Sequence, residues 1–184
     1  MTVVSSMLVS MSIMNVSGLV AIMLCSSLCM GQEVHVTRGK GSVVLSVSAQ
    51  KPYQLLSGEG KMPMLSVECA HKGKKAGHLV VFSPGGSLVE ENFEVDAKPG
   101  QLTFNMTIGG TKQMTAWVPY GDTVTFTYFG KSEPERMKFI QSLLSSGSVS
   151  IEFKPFLTGV PTTSVFDLSK LRGEMDKYPE CATK

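Results

Sequence analysis

The stretch that decides the fold is "QLTFNMTIGGTKQMTAWVP", residues 101–119. Two arms of alternating apolar and polar residues flank the dipeptide Gly109–Gly110. Alternation with a period of two is typical of a strand that buries one face. A Gly-Gly connection between two such arms favours the tight turn of a β-hairpin. The segment therefore predicts an antiparallel hairpin with arms over 101–108 and 112–119.

The same alternation recurs on both sides of this hairpin. In "MLSVECAHK", residues 64–72, period two places Leu65, Val67 and Cys69 on one face, toward the core. Further strands are predicted at 42–50, 78–82, 91–100, 123–129, 148–156 and 162–166. The sequence therefore predicts a β-rich α+β fold, with an antiparallel β-sandwich or sheet of about eight strands.

The periodicity becomes helical twice, both times in the C-terminal third of the chain. Residues 132–147, "SEPERMKFIQSLLSSG", begin with Ser132 and Glu135 at the spacing of a capping box and end at a glycine. A second helix is predicted to follow Asp167, its expected N-cap, and to stop at Pro179. Two helices therefore complete the predicted fold.

The N-terminus differs in composition from the rest of the chain. The first 32 residues carry no charged side chain, and they include the apolar run "GLVAIML" followed by small residues and Gly31. This pattern predicts a signal peptide over residues 1–31, although it lacks a cationic start. The alternative is an uncleaved membrane anchor, because the apolar run is nearly long enough to span a bilayer. Residues 32–184 are then expected to form a single domain.

Removal of this leader changes the cysteine count. Cys25 and Cys29 are lost with it, which leaves Cys69 and Cys181. A single pair in an exported chain is expected to form a disulfide, and the alternative is two unrelated buried thiols. Such a bridge would attach the C-terminal helix to a strand near the middle of the mature chain. The expected location is periplasmic or secreted.

Several features occur in the order found in a known family. They are the central-strand Cys69, the isolated Trp117 before a Gly-Asp turn, the helix "FIQSLL", the strand end "KPF", and "PTTSVFDLSKL" leading to Cys181. Over residues 42–181 the chain resembles the VasI-like family of exported proteins associated with type VI secretion loci. The resemblance implies a periplasmic β-rich domain with a helix-to-strand disulfide, and it implies no established catalytic residues.

The sequence lacks the common motifs of a catalytic site. No serine lies in a Gly-x-Ser-x-Gly elbow, and there is no phosphate-binding or dinucleotide-binding fingerprint. The histidines His35, His71 and His78 lack a third ligand at a zinc-like spacing and are interpreted as surface residues. The sequence therefore predicts no catalytic residue, no metal site and no cofactor.

One candidate binding surface remains. Trp117, the only tryptophan, and the nearby Tyr120 could line a recognition surface. The alternative for Trp117 is packing in the core, since a large aromatic side chain more often lies there.

These features favour an exported, non-catalytic binding or assembly domain with a protein partner in the cell envelope. The resemblance adds an expected association with a secretion system. The net charge of +2 does not indicate nucleic-acid binding, and membrane contact is expected only through an uncleaved leader. Two alternatives remain. One is a secreted hydrolase whose site forms from distant residues, and the other is an inhibitor or immunity-type protein acting through loops 83–100 or 109–111.

Overall fold

The computed structural model describes residues 32–72, 75–88, 101–120 and 122–182. The predicted leader, residues 1–31, and the strand predicted at 91–100 lie outside the described residues.

The described chain forms one nine-stranded antiparallel sheet and one small hairpin. The order across the sheet is β1-β2-β5-β6-β9-β8-β7-β10-β11, and β3 pairs with β4. The strands are β1 (His35–Gly39), β2 (Ser42–Ser48), β3 (Tyr53–Gln54), β4 (Gly60–Lys61), β5 (Met64–Lys72), β6 (Lys75–Ser83), β7 (Leu102–Ile108), β8 (Thr111–Tyr120), β9 (Asp122–Tyr128), β10 (Ser148–Phe153) and β11 (Thr162–Asp167). The predicted β-rich α+β fold is confirmed, with three more short strands than the alternation indicates.

The hairpin predicted from 101–119 is present as β7 and β8. Ile108 pairs with Thr111, and the register continues to Leu102 opposite Trp117. Both turn glycines have positive φ, 55° at Gly109 and 80° at Gly110. Glycine adopts these angles without the steric cost of a Cβ atom, which explains why the tight two-residue turn forms here.

The sheet curls over its own apolar face. The Phe82 ring on β6 makes edge contacts with Phe153 on β10 and Phe166 on β11, at centroid distances of 5.4 and 6.2 Å. Strands from distant positions in the sheet therefore share one core. Near the two ends of the sheet, the Gln50 N–H, just after β2, donates to the Val165 carbonyl of β11 at 2.8 Å.

The first helix, α1 (Glu133–Ser146), lies within the predicted 132–147 segment. The Ser132 hydroxyl accepts a hydrogen bond from the Glu135 N–H at 3.4 Å, and the Glu135 carboxylate accepts one from the Lys131 N–H at 2.9 Å. These bonds provide partners for backbone donors at the start of the helix. Phe139, Ile140 and Leu143 are buried, so this face of α1 covers one side of the core.

The end of the described chain differs from the sequence prediction. The second helix, α2, covers only Leu171–Met175, and a 3₁₀ helix follows at Pro179–Cys181. Asp167 was predicted to cap this helix, and that prediction is wrong. Its carboxylate instead accepts from the Ser169 N–H at 2.9 Å, because Asp167 still belongs to β11 and the chain turns before the helix begins.

Candidate functional site

The predicted disulfide is present between Cys69 of β5 and Cys181 of the 3₁₀ helix. Their Cα atoms lie 5.0 Å apart, and the bridge spans 112 positions of the sequence. Both half-cystines are buried, as the alternation predicts for Cys69. The bridge holds the C-terminal segment against the sheet, and it is compatible with an oxidising compartment.

Trp117 lies in the core, so its assignment to a recognition surface is wrong. Its side chain has 0% exposure. The indole N–H donates to the Thr115 hydroxyl at 2.8 Å, and that hydroxyl donates to the Phe104 carbonyl at 3.2 Å. The apolar ring is therefore buried and its N–H group is hydrogen-bonded inside the protein, so Trp117 cannot contact a partner at the surface.

Tyr120 lies on the surface but does not form a joint site with Trp117. Trp117 is fully buried, whereas Tyr120 is 38% exposed and follows an irregularity in the β8–β9 register between Pro119 and Tyr120. The Tyr120 hydroxyl donates to the Glu68 carboxylate at 2.7 Å. This hydrogen bond, together with partial burial and the Glu68 charge, raises the pKa of Tyr120 above its ordinary value.

The structure instead places an open cleft of about 650 Å³ beside strand β8. It forms where β9 ends at Tyr128 and the chain turns away into α1. We call it the β8 cleft. Its lining residues are Gln101, Gln113, Met114, Thr115, Ala116, Tyr128, Phe129, Lys131, Glu135, Lys138, Phe139 and Ser142.

The β8 cleft has an apolar base and an exposed apolar edge. The rings of Tyr128 and Phe139 stack with their centroids 3.8 Å apart and an interplanar angle of 15°. Met114 is 61% exposed, and Phe129 is 37% exposed. Seven of the twelve lining residues are polar or charged, so the β8 cleft combines an apolar base with largely polar walls.

The rim of the β8 cleft carries more positive than negative charge. Lys131 and Lys138 contribute two ammonium groups, and Glu135 contributes one carboxylate. That carboxylate already accepts a hydrogen bond from the Lys131 backbone N–H at 2.9 Å. The rim therefore favours a ligand with negative charge.

A second polar cluster connects β6 to the start of α1. The Glu133 carboxylate accepts from His78 Nδ1 at 2.7 Å and from the His78 backbone N–H at 3.0 Å. Its other oxygen accepts from Arg136 Nη2 at 2.6 Å. Burial acts to raise the pKa of Glu133, but the hydrogen bonds from His78 and Arg136 and the guanidinium charge outweigh it and hold that pKa below its ordinary value.

The interpretation of His78 as a surface residue is wrong. The residue is 2% exposed, because it shares the inward-facing parity of Val80 and Phe82 on β6. A carboxylate can only accept, so Nδ1 donates to Glu133. The other ring nitrogen, Nε2, is buried and has no hydrogen-bond partner among the described residues.

A metal centre needs clustered ligands, and a membrane span needs a long apolar helix. Within the described residues, no group of three or more His, Cys, Asp or Glu side chains is placed to hold a metal ion. No helix in the same part of the chain is long and apolar enough to cross a bilayer. Much of the loop 83–100, considered for an inhibitor, lies outside the described residues.

Comparison with family models, curated proteins and solved structures found no match to this chain. The function must therefore be argued from the site itself. The β8 cleft was not predicted from the sequence, because it depends on the direction in which the chain leaves β9. The signal available was the break "FGKSEPE" between a strand and a helix start, residues 129–135.

Proposed function

We propose that this protein is an exported, non-catalytic binding or assembly domain whose partner is a protein of the cell envelope. The observation that carries the proposal is the β8 cleft, which combines exposed apolar side chains with a charged rim. It lies on a domain whose C-terminal segment is held by a disulfide. Exposed apolar surface beside a concavity is typical of a site for another molecule.

The disulfide supports the compartment in this proposal. A buried bridge that closes 112 positions is expected to contribute substantially to stability only where thiols become oxidised. The uncharged leader and the resemblance to VasI-like exported proteins point the same way. The resemblance extends the proposal to association with a secretion system.

The experiment is site-specific photo-crosslinking in the producing cell. A benzophenone side chain is introduced at Ser142, which lines the β8 cleft, and, as a matched control, at the exposed Thr163 of β11. We expect a discrete protein adduct from position 142 and none from position 163. An absence of adducts at 142, or the same adducts at both positions, would contradict the proposal.

The location is tested on the same material. Titration of thiols in protein recovered from the envelope or the medium should find Cys69 and Cys181 oxidised. Protein found in the cytoplasm with two free thiols would contradict export.

A further inference from the structure

The structure assigns a class of partner to the β8 cleft: an extended, acidic segment of another polypeptide that adds to the edge of β8 as a new strand. This inference deepens the proposed function and rests on it. It comes from the main-chain groups that β8 presents where β9 ends.

The β7–β8 hairpin determines which main-chain groups of β8 are already used. A two-residue turn makes its flanking residues, Ile108 and Thr111, a hydrogen-bonded pair. Hydrogen-bonded pairs then recur at every second residue. The odd-numbered residues of β8, among them Gln113 and Thr115, therefore direct their N–H and C=O groups toward β7.

The contact with β9 independently shows which residues of β8 direct their main-chain groups away from β7. The Phe129 N–H donates to the Ala116 carbonyl at 2.8 Å, so the even-numbered residues of β8 face the β9 side. Pairing between β8 and β9 covers only Trp117–Tyr120 of β8. Within the described residues, no strand continues it alongside Lys112 and Met114.

Among the described residues, Lys112 and Met114 therefore present two N–H donors and two C=O acceptors along an edge that no strand covers. Such a row is complementary to the main chain of another strand, whatever its side chains. The edge borders the β8 cleft, and Met114, Ala116 and Phe129 line it. An added strand would thus occupy the place that β9 would have taken beyond Phe129.

The side chains around this edge determine which strand fits best. Exposed apolar atoms of Met114 and Phe129 favour an apolar residue in the added segment. The ammonium groups of Lys131 and Lys138 favour Asp or Glu next to it. The partner is therefore a short extended segment that combines an apolar anchor with acidic neighbours.

The outer edge of β1 provides a matched comparison, because no strand of the described residues pairs with it there either. Gly39 and Ser42 close the β1–β2 hairpin, so the Val36 and Arg38 N–H groups face away from β2. None of the residues that line the β8 cleft belongs to β1. If an unpaired edge alone were sufficient for strand addition, β1 should bind extended peptides as tightly as β8.

The test begins by selecting peptides from a phage-displayed random seven-residue library on the oxidised full-length protein. An enriched sequence is synthesised and added to ¹⁵N-labelled protein, and amide hydrogen exchange is measured residue by residue. We expect exchange at Lys112 and Met114 to slow at least tenfold. The amides of Gln113 and Thr115 face β7 and serve as internal controls that should not change.

Three variants make the test sharper. Met114→Pro removes one edge donor without touching the bonds to β7, and we expect a five- to tenfold weaker affinity for the peptide, the usual scale for one main-chain hydrogen bond. Met114→Leu keeps the donor and an apolar side chain and should bind as the wild type does. Arg38→Pro removes a donor from the β1 edge and should leave binding unchanged. Folding of each variant is checked by Trp117 fluorescence.

The contribution of charge is tested with Lys138→Glu. This variant should lower the affinity for the peptide at low salt and make that affinity depend less on salt concentration. The inference is overturned if no sequence is enriched, or if the peptide protects Val36 and Arg38 instead. Protection of Lys112 and Met114 that rises with protein concentration alone, without peptide, would indicate self-association and would also overturn it. A partner cross-linked at Ser142 that leaves both amides unprotected would preserve the proposed function and refute strand addition.

Discussion

His78 Nδ1 lies 2.7 Å from the Glu133 carboxylate, which ties the middle of β6 to the first residue of α1. The same oxygen also accepts from the His78 backbone N–H at 3.0 Å. One carboxylate thus satisfies two donors of a buried residue, and with its other oxygen it binds Arg136. The contact holds α1, one wall of the β8 cleft, in place against the sheet.

We expect Glu133→Ala to lower the free energy of unfolding by about 2 kcal/mol, because it leaves the donors of His78 without partners. Glu133→Gln keeps an acceptor oxygen and should cost less. Urea denaturation monitored by fluorescence measures both. The control is Glu152→Gln, whose surface contact with Lys112 at 3.4 Å should contribute little. Equal effects at positions 133 and 152 would contradict this role.

The Glu133 contact also predicts how stability depends on pH. The folded-state pKa of Glu133 lies below its ordinary value, so the unfolded state binds the proton more readily. The stabilisation is therefore fully present above the unfolded pKa of about 4.5 and is lost as the pH falls through the lower folded value. The difference in unfolding free energy between wild type and Glu133→Gln should shrink between pH 6 and pH 3. A difference that is constant over this range would refute the assignment.

Much of the fold is visible in local sequence patterns, and the reasons are physical. The hairpin at 101–119 is encoded by alternation and by two glycines that tolerate positive φ. The disulfide was predicted from composition, since Cys69 and Cys181 are the two cysteines outside the predicted leader. Strand β1 was missed because its five residues are mostly exposed and carry no apolar stripe.

The candidate site could not be predicted in the same way. The β8 cleft exists because the chain turns away at Gly130, so that no strand of the described chain pairs with Met114 where β9 would continue. His78 was misassigned because its sequence neighbours, lysines and glycines of a turn, suggested a surface position. Its buried donors are paired with Glu133, which lies 55 positions away in the sequence.

The disulfide should account for a large part of the stability. Its loop of 112 positions gives a chain-entropy estimate of roughly 4–5 kcal/mol, although measured losses are typically about 2–4 kcal/mol. We expect the double variant Cys69→Ala/Cys181→Ala to unfold at a clearly lower urea concentration than the oxidised wild type. Wild type treated with a reductant should approach the variant. A midpoint that is the same with and without reductant would show that the bridge does not stabilise the fold.

Trp117 is expected to report on the core and not on ligand binding. It makes edge contacts with Phe82 and Phe104 at centroid distances of 6.3 and 5.9 Å. Its replacement by Ala should cost about 3–5 kcal/mol, and replacement by Phe should cost less. Its fluorescence should be blue-shifted in the folded protein and shift to the red on unfolding. A spectrum typical of a solvent-exposed indole, or efficient quenching by acrylamide in the folded state, would contradict its burial.

Two glycines provide a matched test of backbone conformation. Gly147, which ends α1, has a φ of 68°, and a Cβ atom there would meet no other atom within 4 Å. Gly147→Ala should therefore destabilise the protein by about 1–2 kcal/mol through backbone strain alone.

Gly173 lies inside α2 without a positive φ, and its added Cβ would also meet open space. Gly173→Ala should be neutral or stabilise the fold by up to about 1 kcal/mol, because alanine loses less backbone freedom on folding. The two variants add the same methyl group to open space, so a difference of opposite sign isolates the backbone angle as its cause. If Gly147→Ala proves as stable as Gly173→Ala in urea denaturation, α1 does not need the left-handed residue at its end.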